Sequence, residues 1–267
     1  MNRSWLTDVF AAPKPVIGMI HVPPLPGSPR YDGDLRAVRE AVLRDAEALV
    51  EGGIHGLLLE NFGDVPFWPR RVPAVVVAHM TALAVELRRR FSVPLGVNVL
   101  RNDGRSALAI AHAVGAAFIR VNVLCGVRLT DQGIVEGIAP RLLRDRAWFG
   151  ANARILADVD VKHSAPLALR PIEEEAEEIL VRGLADGLIV SGAATGRPAD
   201  PAQLRAVRAA AHDAPVLVGS GISAENIGEY LDCADGFIVG TSLKRNGDVS
   251  QPIDPARVKA LTTAVGI

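Results

Sequence analysis

Short apolar runs alternate along this chain with longer stretches in which apolar positions recur every three or four residues. The runs at 16–21, 56–60, 95–99, 118–123, 155–161, 187–191, 216–218 and 237–239 predict eight strands. Between them, Leu35, Val38, Val42, Ala46 and Leu49 share one helical face, as do Val76, Val77, Met80, Leu83, Ala84 and Leu87. Further helices are expected at 105–114, 140–149, from Ile172, at 201–211, from Ala224 or Glu225, and at 255–265. The prolines of VPPLPGSP, after the first run, and of NFGDVPFWPRRVP, after the second, enforce extended loops. This alternation without a break in composition predicts an α/β protein in which residues 1–267 form a single (β/α)8 TIM barrel domain, with a doubly wound open sheet as the alternative.

In a closed parallel barrel the outward strand positions lie under helices and are apolar, whereas inward positions near the C-terminal mouth can be polar. Parity then gives direction. In the fifth strand Asp158, Asp160 and Lys162 share one phase and Val159 and Val161 the other. Arg120 and Asn122, Asn98, Glu60 and His21 fall into the same inward class on the fourth, third, second and first strands. Glu60, Asp158 and Lys162 are the catalytic candidates; His21, Asn98, Arg120, Asn122, Asp160 and His163 are substrate-binding candidates. Arg120 with Asp158 or Glu60 also fits a structural ion pair. Lys162 fits either a cation or a Schiff-base former.

The last two strands end in Gly219, Ser220, Gly221 and in Gly240, Thr241, Ser242. Glycine turns after the seventh and eighth strands let backbone N–H groups approach an anion, so a phosphorylated small molecule is the expected partner. The aromatic group Phe62, Phe67 and Trp68 fits either a lid or a patch that meets a second subunit, which leaves a homo-oligomer open.

The chain has 267 residues, 49% of them hydrophobic, and a formal charge of −1 without a block of like charges, so no nucleic-acid footprint is visible. Cys125 and Cys233 lack a CxxC spacing and fit a reducing compartment. No apolar run reaches the ~18 residues of a membrane span, and a cytoplasmic protein is expected. Glu60, Asp158, His21 and His163 could be drawn together around a metal, but no HExxH-type spacing supports one. No organic cofactor is indicated.

The segments IGMIHVPPLPGSPRY, ENFGDVPF, RVNVLCG, TDQGIVEG, ADVDVKHS, SGAATGRPAD, VGSG and DGFIVGTSLK together resemble the BtpA/SgcQ family over nearly the whole chain. The resemblance implies a TIM barrel of the ribulose-phosphate-binding type. One family name comes from a factor for photosystem I biogenesis associated peripherally with thylakoids, the other from a sugar-metabolism gene cluster. TDQGIVEG would bring Asp131 over the mouth, or serve as a simple capping turn. SGAATGRP would add Ser191, Gly192, Thr195 and Gly196 to the phosphate cradle. The expected function is acid–base isomerase, epimerase or lyase chemistry on a phosphorylated sugar or nucleotide-like molecule; the alternative is a non-catalytic assembly factor that uses the barrel as a scaffold.

Overall fold

The computed structural model describes residues 4–192 and 194–266. In chain order the elements are α1 (Ser4–Phe10), β1 (Val16–His21), α2 (Leu35–Glu51), β2 (Gly56–Glu60), α3 (Ala74–Arg90), β3 (Leu95–Asn98), α4 (Gly104–Val114), β4 (Phe118–Val121), β5 (Val127–Thr130), β6 (Gly133–Glu136), α5 (Ala139–Phe149), β7 (Arg154–Val159), β8 (Ser164–Pro166), α6 (Ile172–Val181), β9 (Gly187–Val190), α7 (Pro201–Ala210), β10 (Val216–Val218), β11 (Gly236–Val239) and α8 (Pro255–Val265). Eight of the strands close into an all-parallel barrel in the order β1-β11-β10-β9-β7-β4-β3-β2.

Parity divides the core into two clusters. Val16, Ile20, Leu57, Leu59, Val97, Ile119, Val121, Ile155, Val159, Val190, Val218 and Val239 point outward into one continuous layer under the helices. Ile17, Met19, Leu58, Phe118, Leu156, Ile189, Leu217 and Ile238 point inward and fill the lower barrel, which Trp5, Leu6 and Phe10 of α1 close from below. Burying this floor leaves the polar inward positions, one step further along each strand, at the mouth. Phe118 fits because β3 carries Gly96 beside it: a Cβ there would lie 2.2 Å from the Phe118 ring. Gly96→Ala is therefore expected to lower unfolding stability by about 1–3 kcal/mol in a urea titration.

Three local expectations are corrected and one element is new. The N-terminal plug α1 was not expected; its Trp5 indole donates to the Asp186 carbonyl at 3.1 Å, and its seven residues are too few for a clear helical period. The TDQG segment is neither a capping turn nor a loop but the hairpin β5–β6, turning at Gly133 (φ 91°) and joined by β8 into an antiparallel sheet. The helix expected from Ala224 is reduced to a single 3-10 turn, Ile227–Tyr230. There Asn226 accepts from the Ser223 amide at 2.8 Å and donates to the Gly221 carbonyl at 2.8 Å, so its side chain takes over bonds that a helix would make with backbone. The fifth barrel strand stops at Val159, because Asp160 adopts φ 54° and turns the chain.

Candidate active site

Register places the mouth residues side by side. His21 pairs with Glu60 across β1 and β2, and Glu60 with Asn98 across β2 and β3. The Asn98 amide donates to Glu60 Oε2 at 2.5 Å and aims its carboxylate. Across the barrel Arg120 donates to Asp158 at 2.7 and 3.1 Å and to Ser191 Oγ at 3.3 Å, while Asn122 donates to Asp158 Oδ2 at 2.7 Å. Burial works against the Arg120 charge, but Asp158 keeps its pKa above the ordinary value.

Two adjoining cavities open above this layer. One, of about 330 Å³, is lined by Glu60, Phe62, Phe67, Arg101, Asn122 and Asp131 among others; the second, of about 300 Å³, by His21 and the turns Gly219–Gly221 and Gly240–Ser242. Arg120, Lys162 and Thr195 line both. A ligand reaching from one into the other would pass these three side chains.

The second cavity is built for backbone contact. Gly221 has φ 66°, and a Cβ on it would lie 2.2 Å from the Pro198 nitrogen; a Cβ on Gly240 would lie 2.8 Å from His21 Cε1. Ser242 donates to the Ile222 carbonyl at 2.5 Å and ties the two turns together. The amides of Thr241 and Ser242 precede the first internal bond of their 3-10 turn, Leu243 N–H to the Gly240 carbonyl at 3.0 Å, and so remain available to a ligand. Arg257, at the start of α8, lines the same cavity and donates to the Ser242 carbonyl at 3.1 Å. Lys244 turns the other way into a buried pair with Asp45 at 2.6 Å.

Burial, with Arg120 next, holds the Lys162 ammonium down to about 8. None of the ion pairs among the described residues uses it. Burial, then Lys244, Lys162 and Arg120, push the His21 imidazole down to about 3, so it enters any reaction neutral. Because the folded value lies below the unfolded one, His21 stabilises the protein above about pH 6.5, and that contribution is lost as pH falls from there towards 3. His21→Gln is expected to flatten the fall of stability over that window, read from urea midpoints at successive pH values.

Of the sequence candidates, Glu60, His21, Arg120, Asn122, Lys162, His163, Asp131, Thr195, Gly196, Gly219, Ser220, Gly221, Gly240, Thr241 and Ser242 line one or both cavities. His163, also at positive φ, bridges to Thr195: its Nε2 lies 3.0 Å from Oγ1 and accepts from the Thr195 amide at 3.2 Å. The others stand elsewhere. Asp160 does not point inward: its left-handed backbone turns the carboxylate to Arg128 of the hairpin at 2.8 Å and to Gln203 at 3.2 Å. Asp158 faces neither cavity because Arg120, Asn122 and Ser191 all bond to it, which makes it a positioning residue. Asn98 likewise acts through Glu60. Ser191 is engaged by Arg120 and Asp158, and Gly192 packs beneath the next loop, where a Cβ would lie 2.2 Å from the Arg197 carbonyl oxygen. In the aromatic group, Phe62 and Phe67 line the first cavity, Phe62 with its ring 4.6 Å from His21, whereas Trp68 is 53% exposed outside it.

Arg101 and Arg257 escaped sequence reasoning. Arg101 follows β3 where the chain has left the strand, so parity says nothing of it; its guanidinium donates to the Lys162 carbonyl at 2.6 Å. Asn61 orders this loop by accepting from the Leu100 amide at 2.7 Å. Arg257 could have been found from its place in the first turn of the last helix, next to the final glycine turn. Among the described residues no group of His, Cys, Asp and Glu is arranged to hold a metal, and no helix is long and apolar enough to cross a membrane.

A family model described as "BtpA family" matches residues 12–266. The chain is 47% identical over 260 residues to the photosystem I biogenesis protein BtpA of Synechocystis, covering 97% of this chain and 91% of that protein. It is 49% identical over 248 residues to an uncharacterised protein of Thermococcus kodakarensis, covering 93% and 94%. Solved structures similar to it include a tryptophan synthase from M. tuberculosis (TM-score 0.62, 17% identity, covering 99% of this chain and 98% of that one) and phosphoribosyl anthranilate isomerase from Thermus thermophilus (TM-score 0.58, 12% identity, covering 94% and 98%). At these identities the structures speak for the barrel fold alone.

Proposed function

The chain belongs to the BtpA family, and from that premise we propose that it is an enzyme that binds a phosphorylated sugar or similar small molecule at the barrel mouth and moves a proton on it. The observation that carries this reading is the pair of adjoining cavities, one walled by glycine turns and the other by Glu60, that meet at Arg120, Lys162 and Thr195. The phosphoryl group sits in the turn-lined cavity, taken up by the amides of Thr241 and Ser242 and by Arg257. The rest of the molecule extends past Lys162 towards Glu60. Glu60, aimed by Asn98, takes a proton from the carbon beside a carbonyl, and Lys162, largely protonated at neutral pH with its pKa at about 8, donates to the carbonyl oxygen. As the hydroxyl on the deprotonated carbon gives its proton back to Lys162 and becomes the new carbonyl, return of the proton from Glu60 to the former carbonyl carbon gives isomerisation. The phosphoribosyl anthranilate isomerases among the structural neighbours are named for a phosphorylated substrate, an analogy at the level of fold.

A panel of aldose, ketose and sugar-acid phosphates tests this. Some member is expected to raise the melting temperature and to exchange solvent deuterium into a carbon-bound position; a panel that does neither contradicts the reading.

The 47% identity to a protein named for photosystem I biogenesis favours a second reading, a non-catalytic assembly factor. It predicts that Lys162→Met and Glu60→Gln complement a deletion strain as well as the wild type does. The enzymatic reading predicts that neither does.

A further inference from the structure

Resting on the phosphate reading above, we infer that the molecule bound there carries a second anionic group, a carboxylate with a hydroxyl beside it, held by Arg101 and Asn122: a phosphorylated hydroxy acid such as a sugar acid phosphate. Arg101 is 4% exposed and Asn122 3% exposed, and both line the cavity that also contains Glu60. Arg101 donates to the Lys162 carbonyl, but its Nε has no partner, and none of the ion pairs among the described residues uses it. A buried guanidinium without an anion is costly, and a planar bidentate acceptor is what its geometry suits.

Asn122 supplies the complementary half. Its Nδ2 must be the atom donating to Asp158, since a carboxylate only accepts, which leaves Oδ1 as the free acceptor of the amide. Oδ1 is buried and unpartnered. Two residues of the same cavity, one with an orphaned donor and one with an orphaned acceptor, match a carboxylate and an adjacent hydroxyl.

Asp158, Asp131 and Glu60 favour the Arg101 charge from a distance, but no acid among the described residues forms a contact ion pair with it. Arg120 is answered by Asp158 at 2.7 Å. Glu60 accepts from Asn98, and Asp131 is exposed on the hairpin, engaged by Gln132. Lys162, on the same cavity, is a second cation without a contact ion pair among the described residues. The phosphate and the second anion then bracket Lys162, which places the reacting carbons of the ligand between the two ends.

Calorimetric titration with 6-phosphogluconate and with glucitol 6-phosphate, which differ in carboxylate against CH2OH, separates the two claims. The acid is expected to bind at least about tenfold tighter to the wild type. Arg101→Gln should bring the ratio of the two affinities close to one, Arg101→Lys should keep part of it, and Arg257→Gln should weaken both probes together. Equal affinities in the wild type, or a preference that survives Arg101→Gln in a protein whose circular dichroism is unchanged, would overturn the second anion site while leaving the phosphate reading in place. Free gluconate binding as tightly as 6-phosphogluconate, or binding of both probes unchanged in Arg257→Gln, would overturn the phosphate reading instead.

Discussion

Asp158→Ala is expected to cost about 3–5 kcal/mol of unfolding stability, the largest effect of any single substitution at the mouth. Arg120 is 2% exposed, and Asp158 is the acid bonded to it; removing the acid leaves a full charge inside the barrel. The same change frees the Asn122 amide and the Ser191 hydroxyl, each buried and each now pointing at Asp158. Asp158→Leu combined with Arg120→Met should recover a large share of the lost stability, because an apolar pair of similar volume removes the stranded charge along with its partner. Urea unfolding of the single and double variants checks this. A single variant as stable as the wild type would mean that the pair is not the device that sets the mouth.

The second large effect concerns Lys162. Lys162→Met is expected to lower turnover of any substrate found for this protein by about 10²–10⁴-fold, the range for loss of a positioned acid. The same variant should be more stable than the wild type at neutral pH. The sign follows from linkage: the folded pKa of about 8 lies below the ordinary value of 10.5, so the unfolded chain holds its proton more tightly. The destabilisation from Lys162 is therefore complete below about pH 8 and fades as pH rises from there to about 10.5. The gain from Lys162→Met should be present at pH 7 and shrink towards pH 10, measured as the difference in urea midpoints. A variant less stable than the wild type at pH 7 would assign Lys162 a structural part instead.

Parity carried the sequence argument as far as the strands run. His21, Glu60, Asn98, Arg120, Asn122 and Asp158 lie two residues beyond inward positions or continue that phase, so a period of two was enough to turn them towards the axis. It failed one step later. At Asp160 a left-handed residue ends the strand, and a residue count no longer gives direction. The hairpin β5–β6 was hidden for a different reason: its third strand, β8, lies more than thirty residues further along the chain from β5. Orphaned atoms are legible only in three dimensions. Asn122 looks the same in sequence whether its amide oxygen is bonded or free, and Arg101 reaches the cavity through a loop whose path Asn61 and the Trp68 carbonyl set.

The glycine turns were legible as turns, and the structure refines what they offer. The hydroxyls of Ser191 and Ser242 are occupied within the protein, and the Ser220 hydroxyl donates to the Ala194 carbonyl at 3.2 Å, so the backbone, Arg257 and the Thr241 side chain are the turn-side groups that face an anion there. Titrating isotopically labelled protein with inorganic phosphate while following backbone amide resonances tests this most directly. The account predicts saturable shifts concentrated at Gly221, Thr241 and Ser242 and weakened in Arg257→Gln. Shifts scattered over surface lysines and arginines, with those three amides unmoved, would contradict it.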